Sequence, residues 1–158
     1  MADTYTQMYI HFIFAVQNRL SLIQPNWQSD LYKYMNGIIE QQGHKPFAIN
    51  GMPDHVHLLI SLNPKQSPSE LIYHIKRSSS LWINENKLAK GKFSWQEGFG
   101  VFSYSKSQIP NIIGYIDNQQ AHHLKQTFQE EFLDFLKAFE IEFDERYVFK
   151  QIDLFKRL

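Results

Sequence analysis

Residues 55–62 read His55-Val56-His57-Leu58-Leu59-Ile60-Ser61-Leu62, and the reading of this stretch decides the fold. It is apolar, partly β-branched and preceded by the turn signal Pro53-Asp54, which marks a strand. Residues two apart on a strand point to the same face. His55, His57, Leu59 and Ser61 therefore share one face, and Val56, Leu58, Ile60 and Leu62 the other. The second face is wholly apolar and is assigned to the core. Both imidazoles are expected to project together from the opposite, more open face.

Working outward, Pro53-Asp54 joins this strand to a preceding one over Lys45–Gly51. Earlier still lie a strand over Met8–Val16 and a helix over Asn26–Gln42, ended by Gly43. Downstream, Ser67 as N-cap, Pro68 at the first helical position and Glu70 three after the cap open a helix that runs to about Glu85. A basic, glycine-containing loop leads to a strand over Gly100–Ser105. The next helix starts at Ser107, where Pro110 is tolerated because first-turn N–H groups have no helical partner. Thr127 and Glu130 form a capping box that opens an acidic amphipathic helix. The order β-α-β-β-α-β followed by helices predicts an α+β, ferredoxin-like (split βαβ) antiparallel sheet with helices on one face and additional C-terminal helices. Without repeat, low-complexity tract or linker, residues 1–158 are expected to form a single domain, with about 127–158 as its helical tail.

The 158 residues are 43% hydrophobic and 15% aromatic, which supports one packed core and argues against disorder. There is no cysteine, so disulfides, thiolate zinc sites and a cysteine nucleophile are excluded. Any metal must be held by histidine, carboxylate or amide groups. The apolar run from Ile10 to Val16 is interrupted by His11 and is too short to span a membrane, so a cytoplasmic location is expected. Formal net charge is zero, yet the charges are segregated. Lys76, Arg77, Lys87, Lys90 and Lys92 form one basic segment, and seven acids from Glu130 to Glu145 form an acidic one. Such segments read as an anion-binding surface or as two solvated faces.

Ile109, Ile112, Ile113 and Ile116 follow helical spacing and form a buried stripe. Tyr115 and Gln119 then lie one turn apart on a polar shoulder, joined by His122 if the helix continues, with His123 nearer the apolar stripe. The histidine pair suits two ligands on one divalent metal, or two imidazoles that merely hydrogen-bond their neighbours. A phenol beside a metal ligand suits phosphoryl transfer to tyrosine. With an ordinary pKa of about 10, its deprotonation must be assisted. Tyr115 also reads as a rim residue that caps the core with its ring. Gly114, costing about 1 kcal/mol in mid-helix, suggests close approach of a substrate strand or bending of the helix.

With both motifs placed, the chain resembles the HUH-type single-tyrosine transposases of bacterial insertion sequences, including their REP-associated relatives, over nearly its whole length. His55-Val56-His57-Leu58-Leu59-Ile60 looks like the H-U-H strand, and Tyr115-Ile116-Asp117-Asn118-Gln119 like the Y-x-x-x-Q helix. Stretches 16–19, 76–83 and 95–100 also look like family patterns. The resemblance implies Tyr115 as nucleophile, with His55, His57 and Gln119 binding Mg²⁺ or Mn²⁺. It implies single-stranded DNA, with a hairpin at element ends, as substrate and partner, and a homodimer whose tyrosine helix serves its own or its partner's site. Cleavage would leave a 5′-phosphotyrosine and a free 3′-OH, so rejoining needs no ATP. Lys76, Arg77, Lys87, Lys90 and Lys92 are then expected at phosphates, Trp95 and Phe99 under bases, and Trp82 in the core. Two other readings compete: a non-catalytic ferredoxin-like nucleic-acid-binding domain, and a metal-dependent phosphodiesterase that uses water.

Overall fold

The computed structural model describes residues 4–17 and 22–144; Asn18 and Arg19 of the 16–19 stretch, and the expected tail beyond Asp144, lie outside the described residues. Strands β1 (Tyr9–Ala15), β2 (Lys45–Met52), β3 (His55–Ser61) and β4 (Gly100–Tyr104) pair antiparallel in the order β2-β3-β1-β4. Helix α1 (Pro25–Gln41) follows β1 and α2 (Pro68–Glu85) follows β3, which is the predicted split-βαβ arrangement. Among the described residues, no helix is long and apolar enough to cross a membrane.

The apolar face of the sheet is built as the alternation dictates. Phe12 and Phe14 of β1, Val16 just after it, and Val56, Leu58 and Ile60 of β3 meet Leu31, Met35 and Ile39 of α1 and Leu71, Ile75 and Ile83 of α2. In α1, Trp27, Leu31, Met35 and Ile39 recur every four residues, so one stripe faces the sheet. The predicted cap of α2 is present: Ser67 Oγ accepts the Glu70 N–H at 3.1 Å. Each fully buried side chain here contributes roughly 1.5–3 kcal/mol relative to exposure.

The other face departs from expectation. It is not open: His55 and His57 are both 0% exposed. Helices α3 (Ile109–Asp117), α4 (Gln119–His122) and α5 (Phe128–Ala138) follow β4 in the chain. Leu59 packs with Ile109 and Ile116, while Ile13 and Phe102 pack with Leu136, Phe128, Phe132 and Phe135 of α5. The physical reason lies in those sheet residues. A face bearing Ile13, Leu59 and Phe102 beside its histidines loses free energy in water, and the apolar stripe of α5 covers it. Gly100 allows the close approach, since a Cβ there would lie 2.9 Å from the Phe132 ring.

The helix expected from Ser107 through Tyr115 and Gln119 is also broken. Asn118, at φ −100° and ψ 23°, separates α3 from α4. Asn50, paired with His57 across the β2–β3 ladder, donates its Nδ2 hydrogens to the carbonyls of Ile116 (3.0 Å) and Asp117 (3.1 Å). Those are unpaired carbonyls of a helix end, so a strand side chain terminates α3. At its start, Ser105 and Gln108 cap a 3₁₀ turn over Lys106–Gln108, and α3 proper begins at Ile109 rather than Ser107.

Candidate active site

Three imidazoles converge beneath α5. His55 and His57 come from β3, and His123 follows α4. Each is oriented by its Nδ1: His55 on Asp54 Oδ1 at 2.7 Å, His57 on His11 Nε2 at 2.8 Å, and His123 on the Gln126 carbonyl at 2.8 Å. The three Nε2 atoms face one oxygen, Glu131 Oε1, at 3.4, 2.8 and 3.2 Å respectively. Gln119 adds its Oε1 at 3.2 Å from His55 Nε2 and 3.0 Å from His123 Nε2. Pinning one ring nitrogen so that the other faces inward is how histidines are held for a metal.

Tyr115 stands on the far side of the same carboxylate. Its hydroxyl donates to Glu131 Oε2 and lies 3.2 Å from His122 Nε2. Gln119 Nε2 donates to Glu131 Oε2 at 3.3 Å. His55, His57, Gln119 and Tyr115 are thus brought together as expected, although the break at Asn118 turns Gln119 fully inward. His123 is placed against Gln119 and Glu131 rather than in an apolar stripe.

The electrostatics follow from burial. Burial disfavours charge on His55, but hydrogen bonds and attraction from Asp54 and Glu131 outweigh it and raise its pKa to about 9. His57 goes the other way: burial lowers it to about 4 despite its hydrogen bond to Glu131. Burial opposes the Glu131 anion, yet hydrogen bonds from His123, His55 and His57 hold it well below the usual carboxylate range. Burial, reinforced by Glu131, pushes the Tyr115 phenol far up, so this arrangement keeps the hydroxyl protonated.

The donor set fits a divalent cation. Among the described residues, His55, His57, His123 and Glu131 offer ligand atoms that all lie within 4.8 Å of one another. The Gln126 carbonyl can only accept, so His123 Nδ1 carries its hydrogen and, in the neutral ring, Nε2 turns a lone pair toward two oxygens. His55 Nδ1 likewise faces an acceptor, the Asp54 carboxylate, and the raised pKa of this ring means that without a metal it carries the extra proton. Lone pairs gathered on oxygens require extra protons or a bound cation between them.

Sequence reasoning missed three members. His11 relays from His57 Nδ1 to the Tyr104 hydroxyl, 3.1 Å from its own Nδ1. The signal was available, because His11 shares a β1 face with Ile13, which pairs with His57. Glu131 and His123 carried no such signal. Their positions depend on how α4 and α5 fold back.

The basic residues do not join this site. Lys76 Nζ donates to the carbonyls of Gln96 (2.8 Å) and Gly98 (2.6 Å), and burial lowers its pKa to about 8. Arg77 lies exposed on α2, which packs on the opposite face of the sheet; Lys87, Lys90 and Lys92 are exposed in the loop after α2. Trp95 is core, only 7% exposed, and its Nε1 donates to buried Ser79. A base cannot stack on it in this conformation. Phe99 remains at the surface beneath Lys76, and Trp82 stacks on Tyr34 against the core.

Comparison with known proteins bears on the family and the fold. The ISDra2 transposase TnpA of Deinococcus radiodurans is 25% identical over 118 residues, covering 72% of this chain and 84% of that protein. A crystal structure of a candidate transposase from D. radiodurans R1 gives a TM-score of 0.59 at 22% identity, over 75% of this chain and 95% of that one. The structure of a REP-associated tyrosine transposase bound to a REP hairpin gives 0.58 at 17% identity, over 78% and 73%. Both share the fold. Residues 4–119 match the family described as "Transposase IS200 like", a stretch that takes in the β3 histidines, Tyr115 and Gln119 and stops short of α5, and the chain accordingly belongs to the IS200-like transposases.

Proposed function

We propose that this transposase cuts and rejoins single-stranded DNA, bearing a hairpin at element ends, with Tyr115 as the nucleophile beside a divalent metal. One observation carries the reading: a single buried carboxylate, Glu131, touches His57 Nε2 with one oxygen and the Tyr115 hydroxyl with the other. The nucleophile and the metal-binding nitrogens are thus one anionic group apart. A scissile phosphate would span the same gap.

His55, His57 and Gln119 would hold Mg²⁺ or Mn²⁺, which supplies positive charge to a phosphate oxygen when bound. Tyr115 Oη attacks phosphorus, forms the 5′-phosphotyrosine and releases the 3′-oxygen as a hydroxyl. The phenolic proton passes to a neighbouring acceptor, with Glu131 and His122 in contact, and a proton handed on from that acceptor converts the departing 3′-oxygen to the hydroxyl. Rejoining reverses the exchange with a new 3′-OH, so the bond energy is kept. The proposed enzyme is one domain with a C-terminal helical tail from about residue 127, works in the cytoplasm at the nucleoid, and acts as a homodimer. Arg77, Lys87, Lys90 and Lys92 would steer the strand electrostatically, with Lys76 holding the 96–98 loop beside it.

The test is incubation with single-stranded oligonucleotides from the gene's own flanks and Mn²⁺ or Mg²⁺, followed by a denaturing gel and peptide mapping. A covalent adduct on Tyr115 is expected. Hydrolysed ends with no adduct would favour water as nucleophile, and binding without cleavage would favour a non-catalytic domain.

A further inference from the structure

We propose that in the DNA-free protein His123 and Glu131 join His55 and His57 around a transition-metal ion, a shell of three imidazoles and one carboxylate in which Gln119 stays hydrogen-bonded to Glu131 Oε2 instead of ligating. The inference rests on the metal-dependent reading above and extends it to a helix that the family match does not reach.

Three observations converge on it. The first is the placement of Glu131 within α5. Its neighbours Glu130 and Asp134 are exposed, whereas Glu131 is 1% exposed in a stretch otherwise lined by phenylalanines. A carboxylate turned into a Phe-rich interface needs positive charge there. The second is the orientation of the imidazoles: Asp54, His11 and the Gln126 carbonyl hold the three Nδ1 atoms, leaving every Nε2 aimed at Glu131 Oε1. The third is spacing. Ligands about 2.1 Å from a tetrahedral ion lie about 3.4 Å from one another. The separations of 2.8, 3.2 and 3.4 Å to Glu131 Oε1 lie at or a few tenths of an ångström below that value, so the shell forms with small outward movements.

Ligand type then sets metal preference. Three imidazoles suit Mn²⁺, Co²⁺ or Zn²⁺, whereas Mg²⁺ prefers oxygen and retains its waters. Glu131 also holds the Tyr115 hydroxyl, so this carboxylate stands where a phosphate would lie between the phenol and a bound ion.

Calorimetric titration of the DNA-free full chain with Mn²⁺ and Zn²⁺, repeated in excess Mg²⁺, tests the assignment. Wild type should bind one ion that Mg²⁺ does not displace, and Glu131→Gln and His123→Gln should each weaken binding at least tenfold. Co²⁺ should give the intense visible absorption of a four-coordinate site in wild type, a readout that stands even if a variant fails to fold. Wild-type affinity in both variants, weak six-coordinate Co²⁺ bands, or no binding until DNA is added would overturn it. Each of those results leaves a Tyr115 adduct untouched, whereas absence of the adduct with a bound ion would count against the proposed reaction alone.

Discussion

The two faces of one sheet are packed by opposite rules. On one, Phe12, Phe14, Val56, Leu58 and Ile60 meet α1 and α2 in a predominantly apolar layer. On the other, the same strands present His11, His55 and His57, all 0% exposed, to α3, α4 and α5. Apolar contacts are undirected and tolerate conservative exchange, but a buried polar cluster must satisfy every atom. The comparison teaches that stability and chemistry are divided between the faces of a sheet only four strands wide. It also shows why the histidine face needs α5: that helix supplies Glu131, and the imidazoles already aimed by Asp54, His11 and Gln126 become its charge partners.

The most severe test separates the faces by function. Tyr115→Phe removes one oxygen and should abolish the DNA adduct altogether while changing the melting temperature little. Adduct formation in this variant would move the nucleophile elsewhere, with Tyr104, held by His11 at 3.1 Å, the first alternative. A stability contrast comes next. Phe12→Ala on the apolar face should cost about 3–5 kcal/mol in urea unfolding, with or without metal. A cost below about 1 kcal/mol would mean that this layer is less tightly packed than its burial implies.

Metal should act only from the other face. At a hundredfold excess over Kd it should stabilise wild type by about 2.7 kcal/mol and His57→Gln not at all. Equal stabilisation of both would place the ion elsewhere. The pH dependence sharpens the same contrast. In chelated protein, the raised pKa of His55, about 9 against an ordinary 6.5, favours folding fully below pH 6.5, and this contribution is lost as pH rises through 9. Metal binding must displace that proton, so the stabilisation by Mn²⁺ should instead grow over the same window. Melting curves at pH 6.5 and 9 that move together with and without Mn²⁺ would contradict this. The smallest effect belongs to the apolar side: Ser67→Ala removes the α2 cap and should cost about 1 kcal/mol, leaving metal affinity unchanged.

The residue order alone carried the four strands, α1 and α2, the Ser67 cap and the pairing of His55 with His57 on one face, because period-two alternation and capping are local rules. For residues 55–57 and 115–119, spacing left other readings open, and it was the resemblance to family motifs that pointed to Tyr115, Gln119 and the two histidines together. What only the tertiary structure decided was long-range. That the histidine face is closed depends on α5 returning over Gly100, and the helix break at Asn118 depends on Asn50, 66 positions before Ile116, reaching its carbonyl. Glu131 is one acid among several on an amphipathic helix, and periodicity cannot tell which of them will meet three imidazoles. That selection is made by packing, since a carboxylate becomes part of the site only where folding removes water and leaves the imidazoles as its partners.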